Sequence, residues 1–254
     1  MWRKIRIGVL VIILLTVAQE AWLQSRVLKW RNNLNVALYP INADGSPASD
    51  QCIRNLRQEE WASLEAYFAE QAETYRLSIK SPLRFLQGTS LNELPPTPPK
   101  QSSALEAVLW SLKFRWWAWR HSPPVQLPTD IRLYLMYHDP QKTPVLAHST
   151  ALSKGRVGLV NVFAGEGYGK TNQVLIAHEL LHTLGARDKY DLATNQPSYP
   201  TGFAAPDKIP RYPQDTAELM AGRVPISATS AEIPVDLQQT LIGPVSAMEI
   251  HWMK

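Results

Sequence analysis

The chain has 254 residues, 45% of them hydrophobic and 19% charged, with 26 Lys and Arg against 22 Asp and Glu. That composition excludes a disordered chain, a coiled coil and a polytopic membrane protein, and the length suits one large domain. The net charge of +4 sits in the first 31 positions, which hold six basic residues and a single acid, Glu20. Positions 32–254 are left with 20 basic and 21 acidic residues, and no basic stripe remains to follow a nucleic-acid backbone. The single cysteine, Cys52, rules out an internal disulfide framework and any cysteine-based metal cluster.

Arg3, Lys4 and Arg6 precede an apolar run at positions 7–18, IGVLVIILLTVA, the pattern of an export signal held back by its positive flank. Twelve residues is short for a spanning helix, but Ala21, Trp22 and Leu23 prolong the apolar character. A cleaved signal and an uncleaved single anchor both fit. Either sends the rest of the chain out of the cytoplasm, so positions 1–31 form a signal or anchor with its connector and 32–254 the folded domain.

Positions 34–41 (LNVALYPI) predict a strand closed by the turn signal Asn-Ala-Asp-Gly. Positions 49–78 predict helix, with Trp61, Leu64, Tyr67, Phe68 and Ala72 near three- and four-residue spacing. A short strand at 83–86 is followed by the stiff PPTPP loop at 95–99. Positions 104–121 predict a helix stopped by Pro123 and Pro124, and 131–138 and 156–163 predict strands, with a further short strand between them at 145–148. Positions 171–184 predict a third strong helix, ended by Gly185 where a left-handed cap favours glycine. The expected fold class is α/β: a mixed twisted sheet carrying packed helices, with a loop-rich C-terminal third as a smaller lobe.

The chemistry concentrates in His178-Glu179-Leu180-Leu181-His182, inside the third helix. Residues four apart share a helical face, so both imidazoles reach one metal ion, and Glu179 stands beside it to take a proton from water. The flanking Val174, Leu175, Ile176, Leu180, Leu181 and Leu184 predict burial, where two histidines and a glutamate need a reason to be. Gly185 lets the backbone turn sharply, which returns Asp188 toward the metal as an oxygen ligand. Three protein ligands leave a fourth zinc position for water, the catalytic arrangement. Glu218 is the competing third ligand, and His138 and His148 are weaker rivals, each expected to be solvated or hydrogen-bonded.

The extended pattern His178-x-x-x-His182-x-x-Gly185-x-x-Asp188 resembles the zinc-binding motif of the metzincin metallopeptidases, in the aspartate form of the snapalysin-like branch. Asp188-Lys189-Tyr190 is similar to that branch's Asp-x-Tyr segment, and Glu218-Leu219-Met220-Ala221-Gly222 to its Met-turn. The likeness covers roughly positions 172–222. It implies a zincin-like fold and one catalytic Zn2+ held by His178, His182 and Asp188. It further implies Glu179 as general base toward a zinc-activated water, and Met220 as an apolar floor beneath the metal. Tyr190 is implied as a hydrogen-bond donor to the oxyanion or a weak ligand, with a plain packed tyrosine the competing reading. A peptide or protein substrate would lie antiparallel to an edge strand at 156–163, presented by Gly158, Val160 and Val162. A zinc hydrolase of other amides or esters, and a non-catalytic zincin-shaped scaffold, are the alternatives.

Two further signals complete the reading. Trp110, Phe114, Trp116, Trp117 and Trp119 crowd the helix at 104–121 beside Lys113, Arg115 and Arg120. The expectation is core packing against the sheet, with membrane contact second and single-stranded nucleic acid last. Cys52 is expected to be an idle thiol near a helix start.

Overall fold

A computed structural model of the chain describes residues 28–99 and 103–253, together with positions 2 and 6. The apolar run of the leader lies outside the described residues. Among those described, no helix is long and apolar enough to cross a membrane.

The elements run β1 (Leu34–Asn42), α1 (Pro47–Asn55), α2 (Ala62–Thr74), β2 (Leu83–Gln87), α3 (Ala104–His121), β3 (Ile131–His138), β4 (Thr150–Leu152), β5 (Val157–Phe163) and α4 (Gly169–Leu184). Five strands form one sheet in the order β2-β1-β3-β5-β4, parallel except for β4, which runs antiparallel to β5. The mixed α/β class holds.

Strands β1, β3 and β5 are apolar on both faces because both faces are covered, as parallel sheets require. Val36, Leu38, Leu133, Leu135, Val160 and Val162 face one core with Leu64 and Phe68 of α2 and Val174, Ile176, Leu180 and Leu181 of α4. Ala37, Tyr39, Tyr134 and Leu159 face a smaller core closed by Phe114, Trp117 and Ala118 of α3. Helices α4 and α3 therefore lie on opposite sides of the sheet.

Beyond Gly185 the chain makes only short pairings: β6 (Ala217–Glu218) with β9 (Thr240–Leu241), β7 (Val224–Pro225) with β8 (Ala231–Glu232), then α5 (Pro244–Glu249). This third is loop-rich as expected, but Leu219, Met220, Ile242, Ile250 and Trp252 join the main core rather than enclosing their own.

Two strand expectations need correction. Positions 145–148 are loop, and the short strand is displaced to β4. In consequence the first half of β5 is not an edge: β4 pairs outside Val157–Leu159, Ala151 opposite Gly158, so Gly158 presents no free backbone at the sheet border, while Val160 and Val162 lie beyond this pairing, where the Ser149 hydroxyl accepts from the Asn161 amide. Gly158 is small for packing instead, since a Cβ there would meet the Leu133 side chain at 2.9 Å and the Ala151 Cβ at 3.3 Å.

Candidate metal centre

Helix α4 is pinned before it carries any chemistry. Near its start, the Asn172 amide exchanges two hydrogen bonds with the backbone of Phe163 at the end of β5, at 2.8 and 3.1 Å. At its end Gly185 adopts φ 109°, and the amides of Gly185 and Ala186 return to the carbonyls of His182 and Leu181. That left-handed cap reverses the chain, which brings Asp188 back over the helix.

The result is a convergence of three atoms. His178 Nε2 and His182 Nε2 are 3.1 Å apart, and Asp188 Oδ1 lies 3.2 Å from the first and 3.1 Å from the second. The opposite ring nitrogens are held by main-chain carbonyls: His178 Nδ1 by Leu219 at 2.9 Å and His182 Nδ1 by Ala186 at 2.8 Å. A carbonyl only accepts, so each Nδ1 carries the proton and each Nε2 turns a lone pair inward. Two ring nitrogens and a carboxylate oxygen then meet around one point that calls for positive charge, either a metal ion or a proton between an imidazole and Asp188. The electrostatics agree. Burial disfavours charge on His178, yet Asp188 and Glu179 outweigh it and raise its pKa to about 9. Burial likewise opposes ionisation of Asp188, but hydrogen bonds to both imidazoles hold its pKa well below the ordinary carboxylate range.

His178, Glu179 and His182 together present ligand atoms within 4.8 Å of one another, a group able to hold a metal ion. Asp188 Oδ1 approaches the two imidazoles more closely than that, as given above. Atoms bound to one tetrahedral ion at about 2.0–2.1 Å stand about 3.3 Å from each other, close to the separations found here. The Glu179 carboxylate is buried, and its Oε2 has no hydrogen-bond partner among the described residues. Burial pushes its pKa up, against the pull of the two histidines. An unpaired buried carboxylate oxygen is costly unless water or a proton serves it.

The remaining candidates fall into place around this point. Met220 is fully buried in the main core, inside a short turn (Leu219–Ala221) whose successive carbonyls hold His178 (from Leu219) and the Lys189 amide (from Met220). Tyr190 lines the adjoining cleft, and burial, with the charges of Asp188 and Glu179, pushes its pKa up to about 12, so it stays a donor. Glu218 is occupied elsewhere: fully buried, it accepts from Ser246 Oγ at 2.7 Å and from the amides of Gly243 and Ala221, each at 3.0 Å. His138 pairs with Asn161 at 2.9 Å, while His148 lines the cleft. Burial raises the Cys52 thiol, the opposite of activation.

The cleft holds about 370 Å³ and is walled by the loop 145–149, by Phe163 of β5 and Leu175 of α4, and by Arg223 and Ile233. Arg223 and Ile233 carried no sequence signal. Neither did Glu249, whose carboxylate accepts from the Arg187 amide and from Lys189 Nζ, at 2.9 and 2.7 Å, and so braces both sides of Asp188. These residues lie far from the motif in sequence, and only the fold brings them to it. No protein-family model matches the chain, and no curated protein is similar enough to count as a relative.

Proposed function

We propose that the chain is a zinc-dependent metalloendopeptidase of metzincin-like fold, hydrolysing peptide bonds by attack of water with Glu179 as general base. One observation carries the reading: two imidazole lone pairs and the Asp188 carboxylate converge beside a buried, unpartnered Glu179 oxygen, at the wall of an open cleft. His178, His182 and Asp188 would hold the ion; neutral imidazoles and one carboxylate are a donor set suited to zinc, with a coordination position left open. When bound, zinc supplies a Lewis acid that polarises the scissile carbonyl and acidifies water.

The protein's own groups do the rest. Glu179 Oε2 takes the proton of the attacking water and returns it to the leaving amine. Tyr190 donates its hydroxyl hydrogen to the substrate oxygen as charge grows there. The carbonyls of Leu219 and Ala186 keep both rings in the tautomer and orientation that the site needs. Because β4 is the free edge of the sheet, an extended peptide would add beside Thr150–Leu152 and the cleft-lining loop 145–149, rather than beside β5. The basic, apolar leader supports an extracytoplasmic enzyme, secreted or held by a single N-terminal helix.

The test is the Glu179→Gln variant, assayed for metal and turnover together. Gln keeps the size and polarity of the side chain but accepts no proton. Bound zinc should stay stoichiometric while hydrolysis falls ~100-fold or more. Unchanged turnover would sink the proposed mechanism.

A further inference from the structure

Helix α3 carries apolar residues on two opposite sides, and only one of them is used in the core. Phe114, Trp117 and Ala118 fill the smaller core. On the opposite side Leu105, Val108, Leu109, Leu112, Trp116 and Trp119 are each between 49% and 76% exposed. Positions 105, 108, 112, 116 and 119 follow one another at three or four residues, with Leu109 beside Val108, which makes one continuous stripe along a helix of 18 residues. The stripe exposes on the order of 700 Å², above the few hundred usual for the surface of a monomer.

One flank of the stripe is basic: Lys113 and Arg120 are exposed along it, while Arg115 on the other side is half-buried beside Gly155 and already engaged. The one acid of the helix, Glu106, is committed to the N-terminal cap, accepting from the Ser103 amide at 2.8 Å and its hydroxyl at 3.0 Å. His121 at the far end is paired with Glu93. Neither the Trp116 nor the Trp119 indole N–H has a partner among the described residues.

We propose that α3 is an in-plane docking surface for a lipid bilayer carrying anionic headgroups. Leu and Trp side chains on one stripe with Lys and Arg beside it are what an interfacial helix requires: the stripe enters the acyl boundary while the long cations reach up to the phosphates. Tryptophan suits that depth because its ring is apolar and its N–H finds acceptors at the headgroup level. A second copy of the chain is a poorer occupant. An antiparallel two-fold pairing would set Lys113 against its own copy, and would bury two indole N–H groups on each side in a dry interface. The consequence is an orientation: α3 and α4 cover opposite faces of the sheet, so docking turns the metal centre toward the aqueous phase. Docking through α3 requires neither catalysis nor any particular fate of the leader.

The test uses the full chain and vesicles containing acyl-brominated lipids, which quench only tryptophan at the acyl boundary. Wild type is compared with a Trp116→Phe/Trp119→Phe variant. That variant keeps the apolar stripe, and the difference in emission isolates the two positions from every other tryptophan, including those of the leader. On phosphatidylglycerol-containing vesicles this difference emission should be quenched ~2-fold or more. The lipid concentration needed should rise about tenfold when phosphatidylcholine replaces the anionic lipid. Unquenched positions 116 and 119 on a chain that binds, or a chain that does not bind at all, would overturn the proposal. Equal quenching on both lipids would overturn its anionic part. Burial of the two tryptophans in a lipid-free dimer would assign the stripe to a second copy instead.

Discussion

Asp188 is where the candidate metal site is most exposed to a single substitution, because among the described residues it supplies the only carboxylate oxygen within hydrogen-bond distance of both imidazoles. Asp188→Ala should lower zinc affinity by more than ~100-fold, beyond the loss from an outer-shell partner. Competition against a chromogenic chelator measures it, and full occupancy in the variant would remove Asp188 from the ligand set. Asp44 shows the same physics in a structural role. Burial alone would raise its pKa, but hydrogen bonds from the Asp139 amide, the Ser46 amide and the Ser49 hydroxyl outweigh burial and hold it at about 2. A depressed carboxylate stabilises the fold above its unfolded pKa, near 4, and that stabilisation is lost as the pH falls toward 2. Asp44→Ala should therefore cost about 1–2 kcal/mol at neutral pH, with the gap to wild type closing in acid. Denaturant melts across that range decide it, and a gap independent of pH would contradict the assignment.

Glu218 organises the turn behind the candidate metal site. Its two oxygens serve the Ala221 amide, the Gly243 amide and the Ser246 hydroxyl with no access to solvent. Glu218→Ala would leave those donors buried and unmet, at a cost of about 2–4 kcal/mol. It would also loosen the Leu219 carbonyl that fixes His178. A denaturant midpoint within about 1 kcal/mol of wild type would show that the turn stands without it. The sequence read Glu218 as a rival ligand because a glutamate near a motif carries no mark of what it accepts from. Elements with long periodic patterns were legible: α3 and β3 have the boundaries that their apolar spacing and terminating prolines predict. Strand β4 was legible only as a short strand at 145–148, ahead of its place at Thr150–Leu152, since three residues cannot display alternation. The aromatic residues of α3 divide in a way that composition conceals. Phe114 and Trp117 pack in the core as expected, whereas Trp116 and Trp119 face outward, because in a helix apolar on two opposite sides only the tertiary fold chooses the buried face.

At the scale of the molecule, the sheet separates two kinds of surface. One face carries α2, α4 and the C-terminal segment, tied back to the chain's start by Trp30, whose indole donates to the Ile250 carbonyl at 2.8 Å and packs edge-on against Trp252. The other carries α3 and its apolar stripe. The basic excess in composition belongs to neither, since it resides in the leader. The motif pair His178 and His182 was readable because helical spacing alone fixes their shared face. The braces that complete the site, namely the carbonyls of Leu219 and Ala186 and the Glu249 carboxylate, were not, because backbone acceptors and long-range ion pairs leave no pattern in the chain. The central claim is that this convergence is a hydrolytic metal centre for peptides. The most direct measurement is cleavage of a peptide library by the purified full chain, before and after chelation and again after zinc is restored. The account predicts cleavage that chelation abolishes and zinc returns. Cleavage indifferent to chelation, or a zinc-loaded chain that cuts no peptide, would contradict it.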